Sequence, residues 1–169
     1  MMFERTRRAG ATAGWLALAA SPALAQPIAA PAAFDVAART VILQVHAEGV
    51  QLYECKADAA GHAAWSFREP VATLIKGDET VGRHYAGPHW ELNDGSLVKG
   101  KTATSLPGAG PDDASLLKLD VVENRGVGAL KDAALVLRLN THGGGLKGDC
   151  AEAGAFRSVP YSADYLFLR

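Results

Sequence analysis

The sequence has little charge and almost no charge imbalance. Its 169 residues include 17 Lys and Arg against 18 Asp and Glu, a formal net charge of −1. A nucleic-acid-binding protein is therefore not indicated, because phosphate binding needs a basic excess. Aromatic residues make up only 7% of the chain, whereas 18 glycines and 8 prolines interrupt it. This composition disfavours long helical bundles, and the apolar fraction of 49% disfavours disorder.

Long apolar runs are also lacking, since a membrane-spanning helix needs about 20 apolar residues. The longest candidate, residues 9–20, follows three arginines and precedes the small-residue site Ala23-Leu24-Ala25. This order predicts a secretory signal peptide over residues 1–25 and export to the periplasm or the extracellular space. Removal of this signal peptide takes away three arginines and one glutamate. The remaining chain has 14 basic and 17 acidic side chains, a net charge of −3.

Cysteine occurs only twice, at Cys55 and Cys150, and both residues follow the expected cleavage site. In an oxidising compartment an even pair predicts a disulfide, with two buried free thiols as the alternative.

Short apolar and alternating segments dominate the rest of the chain. Residues 26–39 form an Ala/Pro-rich leader, of which 26–33 should have no core of their own, and 40–169 form the predicted β domain. Runs such as 41–45 and 134–139 have strand character, and Asn93-Asp94-Gly95-Ser96 is a hairpin signal. The pattern predicts a single-domain all-β protein, an antiparallel β-sandwich or a partly closed barrel with one disulfide.

Two strings imitate nucleotide-binding motifs. Residues 95–102 satisfy GxxxxGK[ST] and residues 143–148 satisfy GxGxxG. The first lies between a hairpin turn and Pro107 with no room for a helix, and the second leaves too little chain for a βαβ unit. We expect no nucleotide and no other cofactor.

The densest polar and aromatic segment is residues 83–91. His84, His89 and Glu91 have ligand chemistry, but their spacing matches no strong metal motif, and we expect no metal site. Two interpretations stay open. His84 with Glu91 or Asp164 would form an acid–base site, or the aromatic residues are core and the histidines are satisfied by hydrogen bonds.

A second polar pair is suggested near the C terminus. Asp164 lies in an aromatic strand, and a buried carboxylate there must be paired or hydrogen-bonded. Arg138, on the opposite face from Leu135, Leu137 and Leu139, is its expected partner. Aromatic side chains that could line a pocket, although such residues are more often core, are Tyr53, Trp65, Tyr85, Trp90, Tyr161 and Tyr165.

Several stretches together resemble one family. They are Gly49–Cys55, Trp65–Pro70, Gly82–Glu91, Asp94–Gly100, Arg138–Gly144, Gly148–Cys150 and Val159–Phe167. This combination resembles the DUF3455 family of exported bacterial and fungal proteins over about residues 40–169. The resemblance implies no activity, but it implies motif positions at His84, Tyr85, Trp90, Glu91, Asp94, Arg138, Asn140, Thr141, Tyr161, Asp164 and Tyr165. His89 stands where the family has a small polar residue, which weakens a metal site shared with His84, and the 107–122 region also departs from the family pattern.

These observations favour a binding module of the cell envelope for a small molecule or a polysaccharide. The expected ligand-binding residues are His84, Tyr85, Trp90, Glu91, Arg138, Asn140 and Asp164. The alternatives are a hydrolase or lyase that uses His84, Glu91 or Asp164 in catalysis, and a purely structural envelope protein. The residues leave open whether the protein is an enzyme.

Overall fold

A computed structural model describes residues 28–169, so the expected signal peptide lies outside the described residues. Eight antiparallel strands form one closed barrel, each hydrogen-bonded to the next, with β8 returning to β1. The strands are β1 (Val41–Ala57), β2 (Ala63–Lys76), β3 (Glu79–Tyr85), β4 (His89–Leu92), β5 (Leu97–Leu106), β6 (Leu116–Arg125), β7 (Leu135–Gly143) and β8 (Phe156–Leu168). The all-β prediction is confirmed, and the sheet closes fully. No helix in this part of the chain is long and apolar enough to cross a membrane.

Both faces of the sheet are apolar around β7 and β8. Leu135, Leu137 and Leu139 point outward, while Val136 belongs to the interior core, as the alternation predicts. The outward leucines are covered by the described part of the leader, whose Phe34 is fully buried. Phe34 thus holds the described part of the leader against the barrel.

The lower end of the barrel is closed by residues 126–134, which we call the plug. Leu130 of the plug is fully buried in the interior core. Asp94 Oδ1 accepts hydrogen bonds from the Ser96 amide and hydroxyl at 2.9 and 2.6 Å, and Asp94 Oδ2 accepts the Ala129 N–H at 2.7 Å. The 93–96 turn predicted from the sequence therefore also fastens the plug.

The upper end carries the loops 58–62, 86–88, 107–115 and 144–155. Cys55 near the end of β1 is bonded to Cys150 in the last of these loops, which confirms the disulfide. Tyr53 reinforces this attachment, because its hydroxyl donates to Gly144 O at 2.7 Å and accepts the Leu146 N–H at 3.2 Å.

The two nucleotide-like strings have structural roles. Lys101 lies exposed in the middle of β5, where a phosphate loop would need a helix to begin. Residues 143–148 lead from β7 into the upper loop toward Cys150, and they form no helix.

Candidate functional site

A cavity of about 670 Å³ lies inside the upper half of the barrel, and all eight strands contribute to its wall. The loops 107–115 and 144–155 contribute to its rim. Eight-stranded barrels are wide enough to hold one small ligand, and small-molecule pockets have volumes of about 300–1,000 Å³.

The floor of the cavity consists of three buried rings. His84 on β3 lies opposite Trp90 on β4, and the two rings stack with centroids 4.4 Å apart. Tyr165 on β8 meets both rings edge-on at 5.1 and 5.3 Å. Below them, Phe167 packs against Trp90 without lining the cavity. We call His84, Trp90 and Tyr165 the aromatic floor; it separates the cavity from the close-packed core.

His84 is held neutral. Its Nδ1 lies 2.8 Å from the His89 carbonyl oxygen, which only accepts, so Nδ1 carries the proton and Nε2 has a free lone pair. Burial lowers the pKa of His84 to about 3, and the charge of Arg138 acts in the same direction. At neutral pH this imidazole is therefore a hydrogen-bond acceptor at Nε2 and not a cation.

Arg138 lines the cavity from β7, where it pairs in register with Tyr165 on one side and Leu117 on the other. Its Nε donates to Ser115 O at 2.9 Å. Within residues 28–169 it forms no ion pair with any carboxylate. The expected Arg138–Asp164 pair is wrong, because Asp164 lies opposite Leu139, and neighbouring residues of a strand point to opposite faces.

Asp164 instead belongs to a cluster on the outer surface. Its Oδ1 lies 2.8 Å from His46 Nδ1, and its Oδ2 accepts a hydrogen bond from Asn140 Nδ2 at 2.8 Å. Asn140 has a left-handed backbone (φ 48°) at the irregular end of the β7–β8 ladder. His46 was not among the site residues predicted from the sequence, because its contact with Asp164 depends on the β1–β8 register.

Glu91 belongs to another outer cluster. Its Oε2 accepts hydrogen bonds from Arg83 Nη2 at 2.8 Å and from the Tyr85 hydroxyl at 2.9 Å. These two contacts lower the pKa of the Glu91 carboxyl, Arg83 more strongly. Because Glu91 pairs with Arg83 and its neighbour Trp90 pairs with His84, Glu91 and His84 lie on opposite faces.

The expected site residues therefore fall into three groups. His84, Trp90 and Arg138 line the cavity, whereas Tyr85 with Glu91 and Asn140 with Asp164 form the two outer clusters. The structure brings His84 next to neither Glu91 nor Asp164. Of the aromatic residues expected at a pocket, Tyr53, Trp90 and Tyr165 line this one, and Trp65, Tyr85 and Tyr161 do not.

Gln51 is a cavity residue that the sequence reasoning missed. It is 2% exposed, and its Nε2 has no hydrogen-bond partner among the described residues. Nε1 of Trp90, a residue that is 1% exposed, also has no hydrogen-bond partner among them. A buried donor without a partner costs about 1–3 kcal/mol. The signal was present in the sequence, because Gln51 alternates in step with Tyr53 and Cys55.

Two buried hydroxyls lie between Gln51 and Arg138 along the inner wall. The hydroxyl oxygens of Tyr161 and Tyr165 are 3.4 Å apart. Burial raises the pKa of both tyrosines, so both stay protonated at neutral pH.

The comparison with known proteins identifies the family. A family model described as a protein of unknown function, DUF3455, matches residues 36–169. This chain belongs to the DUF3455 family. The DUF3455 match covers all eight strands, and the resemblance seen in the sequence is thereby confirmed. No curated protein and no solved structure matches the chain.

Proposed function

We propose that this protein binds one small organic molecule inside the upper half of the barrel. The observation that carries the proposal is the cavity of about 670 Å³ over a floor of three aromatic rings. Its size and its mixed apolar and polar wall are typical of small-molecule sites.

The shape of the site favours a small molecule over a polysaccharide. A polymer needs a groove that is open along its length, whereas this cavity is surrounded by all eight strands and rimmed by loops. The three aromatic rings of the floor favour a ligand with an apolar, aromatic body.

A hydrolase or lyase has less support than binding. His84 is neutral, and within residues 28–169 no carboxylate is hydrogen-bonded to it, so it is not part of the acid and base pair that this chemistry uses. A purely structural protein is the interpretation that remains if no ligand binds.

Three probes with one ring system and different charge test the proposal. They are 2-naphthoate, 2-naphthalenemethanol and 2-naphthylmethylammonium, titrated by calorimetry into the oxidised protein at pH 7. We expect at least one probe to bind with one-to-one stoichiometry. If none of the three binds at millimolar concentration, the proposal is wrong.

A pair of tryptophan variants locates the binding. Thr102 and its neighbour Lys101 on β5 are both exposed, but only Thr102 lines the cavity. We expect Thr102→Trp to weaken probe binding at least tenfold, because the indole occupies part of the cavity. Lys101→Trp places the same side chain on the outer surface and should leave the affinity within twofold. Equal affinities in the two variants would place the probe elsewhere.

We infer that the mature protein acts outside the cytoplasm. The Cys55–Cys150 disulfide supports export, because such bonds persist in oxidising compartments. N-terminal sequencing of the protein from a cell-envelope or culture-medium fraction should begin at Gln26. Recovery of the intact N terminus from the cytoplasm, with both thiols free, would contradict export.

A further inference from the structure

The charged groups around the cavity are mostly positive. Arg68, Arg138 and Lys147 line it, against the single carboxylate of Asp113. Asp113 is already engaged, because its Oδ1 accepts the Gly143 N–H at 2.7 Å and its Oδ2 accepts the Gly110 N–H at 2.8 Å. These hydrogen bonds hold Asp113 in the rim and lower its pKa, and within residues 28–169 it forms no ion pair with Arg138.

The three cations are not equivalent. Arg68 is neutralised at the rim, since its Nε donates to Glu69 Oε1 at 3.0 Å and its Nη1 lies 3.8 Å from Glu54 Oε2. Lys147 is exposed in the upper loop. Arg138 alone is a part-buried cation on the inner wall, and it has no carboxylate partner in the described part of the chain.

A cation held in this position favours an anionic ligand. Removing a charge from water is costly unless an opposite charge pairs with it. Ser115 uses the Nε–H of Arg138 and the Tyr165 hydroxyl lies beside the guanidinium, whose remaining N–H donors match the two oxygens of a carboxylate. The unpartnered buried atoms of Gln51 and Trp90 in the described part of the chain are also donors, so the acceptor oxygens of a ligand suit this inner wall.

We propose that the cavity selects an aromatic carboxylate, with the carboxylate on the guanidinium of Arg138 and the ring on the aromatic floor. This inference rests on the proposed function, and it adds the chemical class of the ligand. A single carboxylate suits the one interior cation better than a phosphate dianion, which would need a second positive group at the same depth.

The register places the two halves of this site together. Arg138 and Tyr165 are direct neighbours across β7 and β8, and Tyr165 touches both His84 and Trp90. A molecule of the size of 2-naphthoate therefore meets the cation and the floor at once.

The test compares 2-naphthoate with 2-naphthalenemethanol, two probes that differ only in the anionic group. In the wild type we expect 2-naphthoate to bind at least tenfold more tightly by calorimetry at low salt. Arg138→Gln should reduce this preference to within twofold while it changes the affinity for the alcohol less than threefold. Arg83→Gln, the same change in an outer cluster, should keep the tenfold preference.

A second variant guards against a loss of folding. Arg138→Lys keeps the charge without the planar donor pair, and we expect it to retain a preference of about threefold. Equal binding of both probes to the wild type, or an unchanged preference in Arg138→Gln, would overturn the inference and leave cavity binding intact. Failure of all three naphthalene probes would instead overturn the proposed function.

Discussion

Removing the disulfide should destabilise the protein strongly and should also loosen the cavity rim. The bond joins residues separated by 95 positions, from the buried Cys55 on β1 to Cys150 in the upper loop. Chain entropy for a loop of this length gives about 4.7 kcal/mol at 25 °C. At about 2–4 °C per kcal/mol for a chain of this size, the double variant Cys55→Ala/Cys150→Ala should melt about 9–19 °C below the oxidised wild type.

Thermal unfolding followed by circular dichroism measures this difference. The wild type in dithiothreitol should melt close to the double variant, and the double variant should be insensitive to the reductant. Because Gly145, Leu146 and Lys147 line the cavity in the same loop, probe affinity of the folded double variant should also fall severalfold. A melting temperature within 3 °C of the oxidised wild type would refute the argument that this bond constrains the unfolded chain.

Three further variants test the fold. Phe34→Ala should lower the free energy of unfolding in urea by about 3–5 kcal/mol, because the ring is fully buried on the outer leucines; a loss below 1 kcal/mol would mean that the leader is dispensable. Gly144→Ala should lower the melting temperature more than Gly61→Ala does. Both glycines have positive φ, but a Cβ at Gly144 would lie 2.6 Å from the Tyr161 Cβ, whereas a Cβ at Gly61 would meet nothing within 4 Å. Equal losses would exclude crowding as the cause. Hydrogen bonds lower the pKa of the Asp94 carboxyl, and the one from the Ser96 side chain has the largest effect. The Asp94 carboxylate therefore stabilises the fold above the ordinary carboxyl pKa, and this stabilisation is lost as the pH falls through the pKa of the folded state. Urea unfolding between pH 7 and pH 3 should show a shallower acid decline in Asp94→Asn, and an unchanged decline would contradict this assignment.

The local features of the barrel could be predicted from the sequence. The alternation of Leu135, Leu137 and Leu139 with Val136 and Arg138 is a property of one strand, and the structure has it. The turn at 93–96 was likewise predicted, with Gly95 at a φ of 83°. The sequence could not show which face of β7 points inward, because the leader makes its outer face as apolar as its inner face.

The composition of the site could be predicted only in part, because it depends on strand register. His84 and Glu91 are close in sequence, but the β3–β4 hairpin pairs His84 with Trp90 and Arg83 with Glu91. A shift of one residue would exchange the two faces and would bring Glu91 inside. The same alternation of side chains along a strand separates Arg138, which points inward, from Asp164, which points outward. The register of strand pairing depends on turn lengths and on β-bulges, which the secondary-structure propensities of the residues do not determine.

The two ends of the barrel satisfy their polar groups differently, and this contrast supports a ligand site at the upper end. At the lower end the carboxylate of Asp94 and the hydroxyl of Ser96 are hydrogen-bonded to each other and accept the N–H groups of Ala129 and Leu130 in the plug. At the upper end, within residues 28–169, Gln51 and Trp90 have unpartnered donors and Arg138 forms no ion pair. Folded proteins satisfy almost all buried polar groups, and exceptions are expected at functional sites. The aromatic carboxylate that we propose would supply acceptor oxygens to these donors and a negative charge beside Arg138, and it would thereby stabilise the folded protein at this end.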